Sequence, residues 1–181
     1  TMVYVLLGTG LEEIEAVTPI DLLRRAGVAV TTVGLNGKIV KGSHKVGFEA
    51  DMEISDLDVS DADMIVLPGG LGGVASISGC PAALAAVEQV WTRGGFVAAI
   101  CAAPTVLAAL HITDGHPTTC YPGCEEKMGA ALSQPGKAVV RDGNLITGTS
   151  AGCAVPFALA LVAALKGEEK AQEIAEQIVI R

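Results

Sequence analysis

The stretch Phe96-Val-Ala-Ala-Ile-Cys-Ala-Ala-Pro104 decides the fold of this chain. Its first five residues are apolar and free of glycine and proline, and they are too few for a helix, which predicts a fully buried strand over Phe96–Ile100. Pro104 suits the first turn of a helix, and Thr105–His111 continues with good helix formers. Cys101 is therefore predicted to lie on a sharp turn at the carboxyl end of a buried strand, where open α/β sheets bind ligands.

Two interpretations of Cys101 remain open from this stretch alone. A thiol that faces the start of a helix meets the positive end of the helix dipole, which favours the thiolate and predicts a reactive cysteine with a lowered pKa. Most free cysteines, however, behave as small buried hydrophobic residues. The position of Cys101 on the turn is the feature that supports the first interpretation.

The composition limits the classes of function. The chain has 181 residues, of which 50% are hydrophobic and only 3% aromatic, and this size predicts one domain over residues 1–181. A net charge of -8 and a pI of about 4.8 argue against binding to nucleic-acid phosphates. The sequence shows neither an apolar run of membrane-spanning length nor the features of a signal peptide at its start. Five cysteines without the spacing of a disulfide framework predict a reduced, cytoplasmic protein.

Predicted strands and helices alternate along the chain. The strands are predicted at Val3–Leu7, Val28–Leu35, Met64–Leu67, Phe96–Ile100, Thr118–Tyr121, Ala138–Arg141 and Leu145–Thr147. The helices are predicted at Glu12–Ala26, with a kink at Pro19, and at Pro81–Thr92, Thr105–His111, Cys153–Leu165 and Glu168–Ile180. This alternation predicts an α/β fold with a doubly wound, largely parallel sheet that is covered by helices on both faces. The Asp142-Gly143 pair predicts a hairpin between the last two strands.

Three motifs begin like known sites but do not complete them. Gly8-Thr-Gly-Leu-Glu-Glu13 starts like the dinucleotide fingerprint, but its two acidic residues would repel a pyrophosphate. Gly148-Thr-Ser-Ala-Gly152 matches a serine nucleophile elbow, yet all three histidines precede it, so a glycine-rich turn near the site is the better interpretation. Cys120 and Cys124, with a single histidine nearby, do not form a zinc site. The sequence therefore predicts no cofactor and no metal.

Three loops are predicted to meet at one crevice. The carboxyl ends of the first, third and central strands carry Gly8–Glu15, Gly69–Gly73 and Cys101, and in a doubly wound sheet those ends converge. One glutamate of the first loop is expected to reach the thiol. Glu12 and Glu13 are better explained as acidic residues that complement the helix dipole.

Backbone amides of two of these loops predict an oxyanion hole. The consecutive glycines Gly69 and Gly70 leave their N–H groups uncovered, so that a substrate oxygen can approach them. The N–H of Ala102, next to the cysteine, is the natural second donor.

Three motifs in register resemble the ThiJ/PfpI superfamily, in its deglycase (DJ-one) branch. They are Glu12-Glu-Ile-Glu-Ala-Val17, Leu67-Pro-Gly-Gly70 and Ala98-Ala-Ile-Cys-Ala-Ala-Pro-Thr105. The resemblance runs nearly from end to end and implies a flavodoxin-like fold, a homodimer, a nucleophilic Cys101 and a protonated Glu15 hydrogen-bonded to it. It also implies conversion of methylglyoxal or glyoxal to a hydroxy acid, repair of glycated thiols and amines, or peroxide sensing.

The sequence departs from the superfamily pattern at two positions. Protease-like members place a histidine directly after the cysteine, and Ala102 at that position argues against proteolysis. The DJ-one branch often has His-Pro on the strand facing the cysteine, where this chain has Tyr121-Pro122. His116-Pro117 lies five residues before Tyr121-Pro122 and does not align. Tyr121 is therefore expected to contribute only a hydroxyl group to substrate binding.

Two classes of function follow from the resemblance. In a cysteine enzyme, the Cys101 thiolate adds to the aldehyde carbon of a 2-oxoaldehyde, the Gly70 and Ala102 amides hold the oxyanion, and Glu15 carries the proton. In a redox sensor or chaperone without turnover, Cys101 is oxidised to a sulfinic acid that the Glu15 proton stabilises. Both functions need an acidic, accessible thiol, and the sequence does not decide between them.

Overall fold

A seven-stranded sheet forms the centre of the computed structural model, which describes residues 1–181. The strands of the molecule are β1 (Met2–Leu7), β2 (Ala29–Gly34), β3 (Ile39–Lys41), β4 (Gly47–Glu49), β5 (Met52–Glu53), β6 (Met64–Leu67), β7 (Phe96–Ile100), β8 (Pro117–Thr118), β9 (Leu132–Ser133), β10 (Val139–Asp142) and β11 (Leu145–Gly148). The helices are α1 (Glu13–Arg25), α2 (Leu71–Ser78), α3 (Pro81–Thr92), α4 (Pro104–Ala109), α5 (Ala154–Lys166) and α6 (Glu168–Gln177).

The strand order of the central sheet is β10-β11-β7-β6-β1-β2-β5. All neighbours are parallel except β10, which forms the predicted antiparallel hairpin with β11. The chain leaves β1 towards β2 on one side and returns with β6 on the other side, so the strand order reverses between β1 and β6. Ligands bind at such a reversal in open α/β sheets. The predicted α/β fold is confirmed.

The central strand β7 shows why both faces of the sheet need helices. Its side chains alternate, because Ala98 and Ile100 belong to the apolar cluster on one face and Val97 and Ala99 to the cluster on the other. The first cluster is completed by residues of α1, α5 and α6, and the second by residues of α2, α3 and α4. A strand buried on both faces reads as a continuous apolar run, as the sequence of β7 does.

Helix α2 was not predicted, because its glycines are typical of a turn. Gly72 and Gly73 lie inside it although glycine destabilises a helix interior. A Cβ atom at Gly72 would lie 2.9 Å from Cα of Gly10, and one at Gly73 would lie 2.8 Å from Cα of Leu11. The helix therefore needs glycine in order to pack its backbone against the loop that follows β1.

Other elements differ from their predicted bounds. The strand predicted at Thr118–Tyr121 is only β8, so the prediction of Tyr121 within a strand is wrong. The last helix ends three residues early, before Val179 with its positive φ of 56°. Helix α1 runs through Pro19 without interruption, and the kink there stays a prediction. No single helix is long and apolar enough to cross a membrane; α2 and α3 reach that length and composition only when taken together, and they are bent by 84°.

Candidate active site

Cys101 lies on the turn between β7 and α4 with a φ of 68°. This left-handed conformation costs a residue other than glycine about 1–2 kcal/mol and persists only where the surrounding structure enforces it. Two main-chain hydrogen bonds do so: Cys101 N–H donates to the Gly148 carbonyl at 3.0 Å, and Tyr121 N–H donates to the Cys101 carbonyl at 2.8 Å. The strained turn is therefore held from both sides, a pattern that is typical of functional sites.

Glu15 is the glutamate of the first loop that reaches the thiol. It lies in the first turn of α1 and is only 1% exposed. Its Oε1 atom is buried without a hydrogen-bond partner. Burial raises the pKa of the carboxyl group, and the nearby Cys101 side chain and the amides of Gly69 and Ala151 offset only part of that increase. A buried acceptor without a partner lowers the stability of the folded state, which indicates that Glu15 has a functional role.

Gly69 allows the carboxyl group and the cysteine to meet. A Cβ atom at Gly69 would lie 2.3 Å from Oε1 of Glu15 and 2.7 Å from Cβ of Cys101. Any side chain at this position would therefore displace one or both groups. The prediction that the Gly69 loop, the Glu15 loop and Cys101 converge is met by the structure.

Burial raises the pKa of both groups of the pair. It raises the pKa of Glu15 to about 7, although the Cys101 thiol acts in the opposite direction. It also raises the pKa of Cys101 to about 12, with further contributions from the charge and hydrogen bonding of Glu15. Two negative charges so close together in a buried site are unfavourable, so the pair loses only the first of its two protons near neutral pH.

The expected lowering of the Cys101 pKa by a helix dipole is thus wrong. Helix α4 has only six residues and begins at Pro104, three residues after the cysteine. Burial and the Glu15 carboxylate outweigh the nearby groups that do lower the pKa, the Ala102 amide and the Ser150 hydroxyl. The negative charge of the Glu15 carboxylate disfavours the thiolate and so contributes to the raised pKa of Cys101.

Of the amides predicted for the oxyanion hole, those of Gly70 and Ala102 are free of protein oxygen acceptors, whereas the Gly69 amide approaches the Glu15 carboxyl group and is not free for a substrate oxygen. Neither Gly70 N–H nor Ala102 N–H takes part in a main-chain hydrogen bond. Gly70 has a φ of 90°, and a Cβ atom there would lie 2.6 Å from the carbonyl oxygen of Gly10. The Ala102 amide is near enough to the sulfur to lower the thiol pKa. Both donors are available to a ligand, and their role stays a prediction.

Tyr121 meets Cys101 through its main chain. Its N–H group binds the Cys101 carbonyl, while its side chain is 48% exposed. The three histidines lie elsewhere and pair with carboxylates: His44 with Glu13, His111 with Asp114, and His116 with Asp142. No histidine is therefore part of the Cys101 site, as the sequence register of Tyr121 predicts.

Sequence reasoning missed the contributions of Ser150 and Ala151. The Ser150 side chain approaches the Cys101 thiol, and the Ala151 amide approaches Glu15. The register of the sheet explains both contacts, because Gly148 pairs with Ile100 and the two strands end side by side. The sequence places the Gly148–Gly152 turn near the site. Its position directly after a strand parallel to β7 is the signal that its side chains can reach Cys101.

Glu13 binds a different element. Its carboxylate accepts hydrogen bonds from His44 N–H at 2.8 Å, Val46 N–H at 3.3 Å and the Ser43 hydroxyl at 3.2 Å, all in the β3–β4 hairpin. Burial alone would raise its pKa, but hydrogen bonds from its own backbone, His44 and Val46 lower the pKa to about 2. Glu13 therefore fastens the hairpin to the start of α1.

The motifs of this site and the fold can be compared with known proteins. A model of the DJ-1/PfpI family matches residues 1–164. Protein dj-1beta of Drosophila melanogaster is 40% identical over 178 residues, which cover 97% of this chain and 95% of the relative. The glutathione-independent glyoxalase DJR-1.2 of Caenorhabditis elegans is 31% identical over 171 residues, which cover 93% and 90% of the two chains.

The fold is also similar to that of a relative with a crystal structure. Drosophila melanogaster DJ-1beta superposes with a TM-score of 0.94 at 38% identity, covering 100% of this chain and 98% of the other. The family match spans all three motifs of the site. By its sequence and its fold, the chain belongs to the DJ-1/PfpI family.

Proposed function

We propose that this protein is a cofactor-independent cysteine enzyme that converts 2-oxoaldehydes such as methylglyoxal or glyoxal into hydroxy acids. The observation that carries the proposal is the strained Cys101 beside a buried carboxyl group whose Oε1 atom has no hydrogen-bond partner. Membership of the DJ-1/PfpI family supports the reaction class, and the relative named as a glutathione-independent glyoxalase supports the substrate class.

Glu15 is the base that activates the thiol. Its pKa of about 7 is well below that of Cys101, so above pH 7 the pair starts as a carboxylate and a thiol. The sulfur adds to the aldehyde carbon while its proton moves to the carboxylate, and no buried pair of charges forms. The carbonyl oxygen gains the negative charge, which the amides of Gly70 and Ala102 bind until the oxygen is protonated.

The remaining steps need no cofactor. In the resulting hemithioacetal, Glu15 is placed to move a proton from the former aldehyde carbon to the neighbouring carbonyl carbon, through an enediol. The product of this step is a thioester, in which one carbon is oxidised and its neighbour reduced. Water then cleaves the thioester, releases lactate or glycolate and restores the thiol. The same chemistry applies to hemithioacetals and aminocarbinols already attached to proteins or nucleotides.

Turnover under substrate excess tests the proposal. Wild type and Cys101→Ser are incubated with methylglyoxal at a large molar excess, without added thiol, and lactate is measured. We expect many lactate molecules per wild-type protein and none from the variant. Cys153→Ser, which removes another partly buried thiol, serves as the matched control and is expected to turn over normally. Lactate formation no greater than one molecule per protein, or equal rates in Cys101→Ser, would overturn the proposal.

The second candidate is a peroxide sensor without turnover. The unpaired Oε1 of Glu15 favours it, because a protonated carboxyl group would donate a hydrogen bond to an oxidised sulfur. Two peroxide molecules each transfer one oxygen to Cys101 and leave as water, which gives a sulfinic acid. Stoichiometric addition of two oxygen atoms at Cys101, together with absent turnover of methylglyoxal, is the result that selects this candidate.

We also propose that the chain forms a homodimer. Ile14 and Val17 lie one turn apart on α1 and are 54% and 43% exposed, and Val46 in the neighbouring hairpin is 51% exposed. Exposed apolar side chains on adjacent elements are typical of interfaces. Light scattering is expected to give a mass twice the 18.4 kDa of one chain, and a mass near 18.4 kDa would contradict the proposal.

A further inference from the structure

A second group of polar side chains surrounds a cavity at the amino end of β7. The cavity has a volume of about 650 Å³, and Trp91, Thr92, His116, Asp142 and Asn144 are among its lining residues. Strand β7 has five residues, which extend over about 17 Å, and Cys101 follows its other end. The cavity is therefore separate from the candidate active site.

The carboxylate of Asp142 lines the cavity and contacts His116 through only one of its two oxygens. His116 Nδ1 lies 2.7 Å from Oδ2 of Asp142, a contact that leaves Oδ1 of Asp142 without a partner in this pair. No lysine or arginine lines the cavity. Asp142 is the only acidic residue of the lining, and its second carboxylate oxygen attracts cations. The guanidinium group of the adjacent Arg141 binds the Gly143 carbonyl and lies over the Phe96 ring.

The end of helix α3 adds to the negative potential. Trp91 and Thr92 are its last residues, and the Thr92 carbonyl accepts no main-chain hydrogen bond. The last turn of this twelve-residue helix contains no basic residue. The next residue, Arg93, directs its guanidinium group to the carbonyls of Ser60 and Ala62 instead. The negative end of the helix dipole therefore has no cation of its own in the cavity.

Trp91 is the aromatic residue with an indole ring that lines the same cavity. Its ring packs edge to face with His116, with the ring centroids 5.8 Å apart. Planar guanidinium groups stack on aromatic rings and bind carboxylates through two parallel hydrogen bonds. We propose that the cavity bounded by Trp91, Asp142 and the end of α3 binds a ligand with a guanidinium group. Asp142 pairs with that group, and Trp91 stacks on it.

Fluorescence of Trp91, the single tryptophan of the chain, reports binding directly. The probe is N-acetyl-L-argininamide, and its neutral counterpart N-acetyl-L-citrullinamide is the ligand control. We expect a saturable change in emission with the arginine probe and none with the citrulline probe. Amide resonances of Gly143 and Asn144 in the wild type are expected to shift with the same dissociation constant, while those of Cys101 and Ala102 stay unchanged.

A pair of variants completes the experiment. Asp142→Asn retains an acceptor for His116 but removes the charge, and we expect at least fivefold weaker binding. Asp114→Asn alters a similar His–Asp pair, at 3.0 Å from His111, that lines none of the main cavities, and binding is expected to be unchanged. Equal responses to the two probes would overturn the proposal, as would equal affinities of wild type and Asp142→Asn, or shifts confined to other regions of the wild-type spectrum.

Discussion

Glu13 and Glu15 are two residues apart on α1, yet their environments drive their carboxyl groups in opposite directions. Glu13 points to the β3–β4 hairpin, where main-chain N–H groups lower its pKa to about 2. Glu15 points into the site, where burial raises its pKa to about 7 and its Oε1 atom lacks a partner. The two residues have the same chemistry and lie in the same helical turn.

The difference shows how one helix start supports both structure and chemistry. Hydrogen-bond donors around Glu13 stabilise its charge and make it a structural anchor. Burial outweighs the donors around Glu15 and leaves it able to gain or lose a proton near neutral pH, as a general base requires. The assignment of roles therefore depends on the loops that each side chain meets and not on position along the helix.

The largest expected effect separates activity from stability. Glu15→Leu should lower turnover of methylglyoxal by about 10²–10⁴-fold, because it removes the proton carrier. Its stability should not fall, since it also removes a buried carboxyl group that lacks a partner. Steady-state rates and urea unfolding of the purified variant measure both quantities.

The matching change at Glu13 should give the opposite result. Glu13→Leu should lower the free energy of unfolding by about 1–3 kcal/mol through lost hydrogen bonds to the hairpin. Its turnover should change far less than that of Glu15→Leu. If Glu13→Leu lost as much activity as Glu15→Leu, the assignment of a structural role to Glu13 and of the general base to Glu15 would be wrong.

The pH dependence of stability sharpens the same comparison. The pKa of Glu15 is raised from 4.5 to about 7 on folding, so its protonated form stabilises the fold below pH 4.5, and this contribution is lost as the pH rises through about 7. The slope is at most about 1.4 kcal/mol per pH unit. The stabilising contribution of Glu13 is present above pH 4.5 and is lost as the pH falls towards 2.

The free energy of unfolding of wild type, Glu15→Leu and Glu13→Leu, measured between pH 2 and pH 7, checks the direction of both effects. Relative to Glu15→Leu, wild type should lose stability between pH 4.5 and pH 7. Relative to Glu13→Leu, it should lose its advantage only below pH 4.5. Parallel curves for wild type and Glu15→Leu between pH 4.5 and 7 would show that Glu15 has an ordinary pKa.

Removing the charge of Glu15 and removing the hydroxyl of Ser150 should shift the pKa of Cys101 in opposite directions. Glu15→Gln should lower the pKa of Cys101, because the nearby negative charge is gone. Ser150→Ala should raise this pKa, by one unit or less, because a neutral hydrogen bond contributes about 0.5–1.5 kcal/mol. The alkylation rate of the Cys101 peptide as a function of pH gives both values. If Cys101 were alkylated more slowly in Glu15→Gln than in wild type above pH 7, Glu15 would stabilise the thiolate, as a protonated carboxyl group does, and the expected sign would be wrong.

The smallest effect is expected at Tyr121. Tyr121→Phe keeps the N–H group that holds the Cys101 carbonyl and removes only an exposed hydroxyl group. Turnover should fall by less than about fivefold, which corresponds to no more than about 1 kcal/mol. The acid limb of the pH–rate profile should remain, since it belongs to the Cys101–Glu15 pair. A lost acid limb would assign the proton transfer to the tyrosine.

The central strands and the meeting of loops were predictable from the sequence. The bounds of β6, β7 and α3 match their predictions because short apolar runs and an initial proline are strong local signals. Topology then brings Glu15, Gly69 and Cys101 together, since parallel strands end at the same edge.

What the sequence missed depends on contacts between distant segments. Helix α2 contains glycines that are explained only by the backbone of Gly10 and Leu11 on the other side of the contact. The pKa of Cys101 was predicted in the wrong direction because local helix position was considered, whereas burial and Glu15 dominate. The side chain of Ser150 approaches the thiol through the register of β11 on β7.

Because Gly69 lies against both Glu15 and Cys101, the environment of the Cys101 thiol forms only when the sheet is complete. The three residues come from separate parts of the chain and meet only after β1, β6 and β7 have paired in register. Until then Cys101 is an ordinary thiol in water, with a pKa of about 8.5. A thiol reagent at mildly alkaline pH therefore labels Cys101 quickly in chains that have not finished the sheet and slowly in those that have, so the native cysteine measures refolding without an added probe.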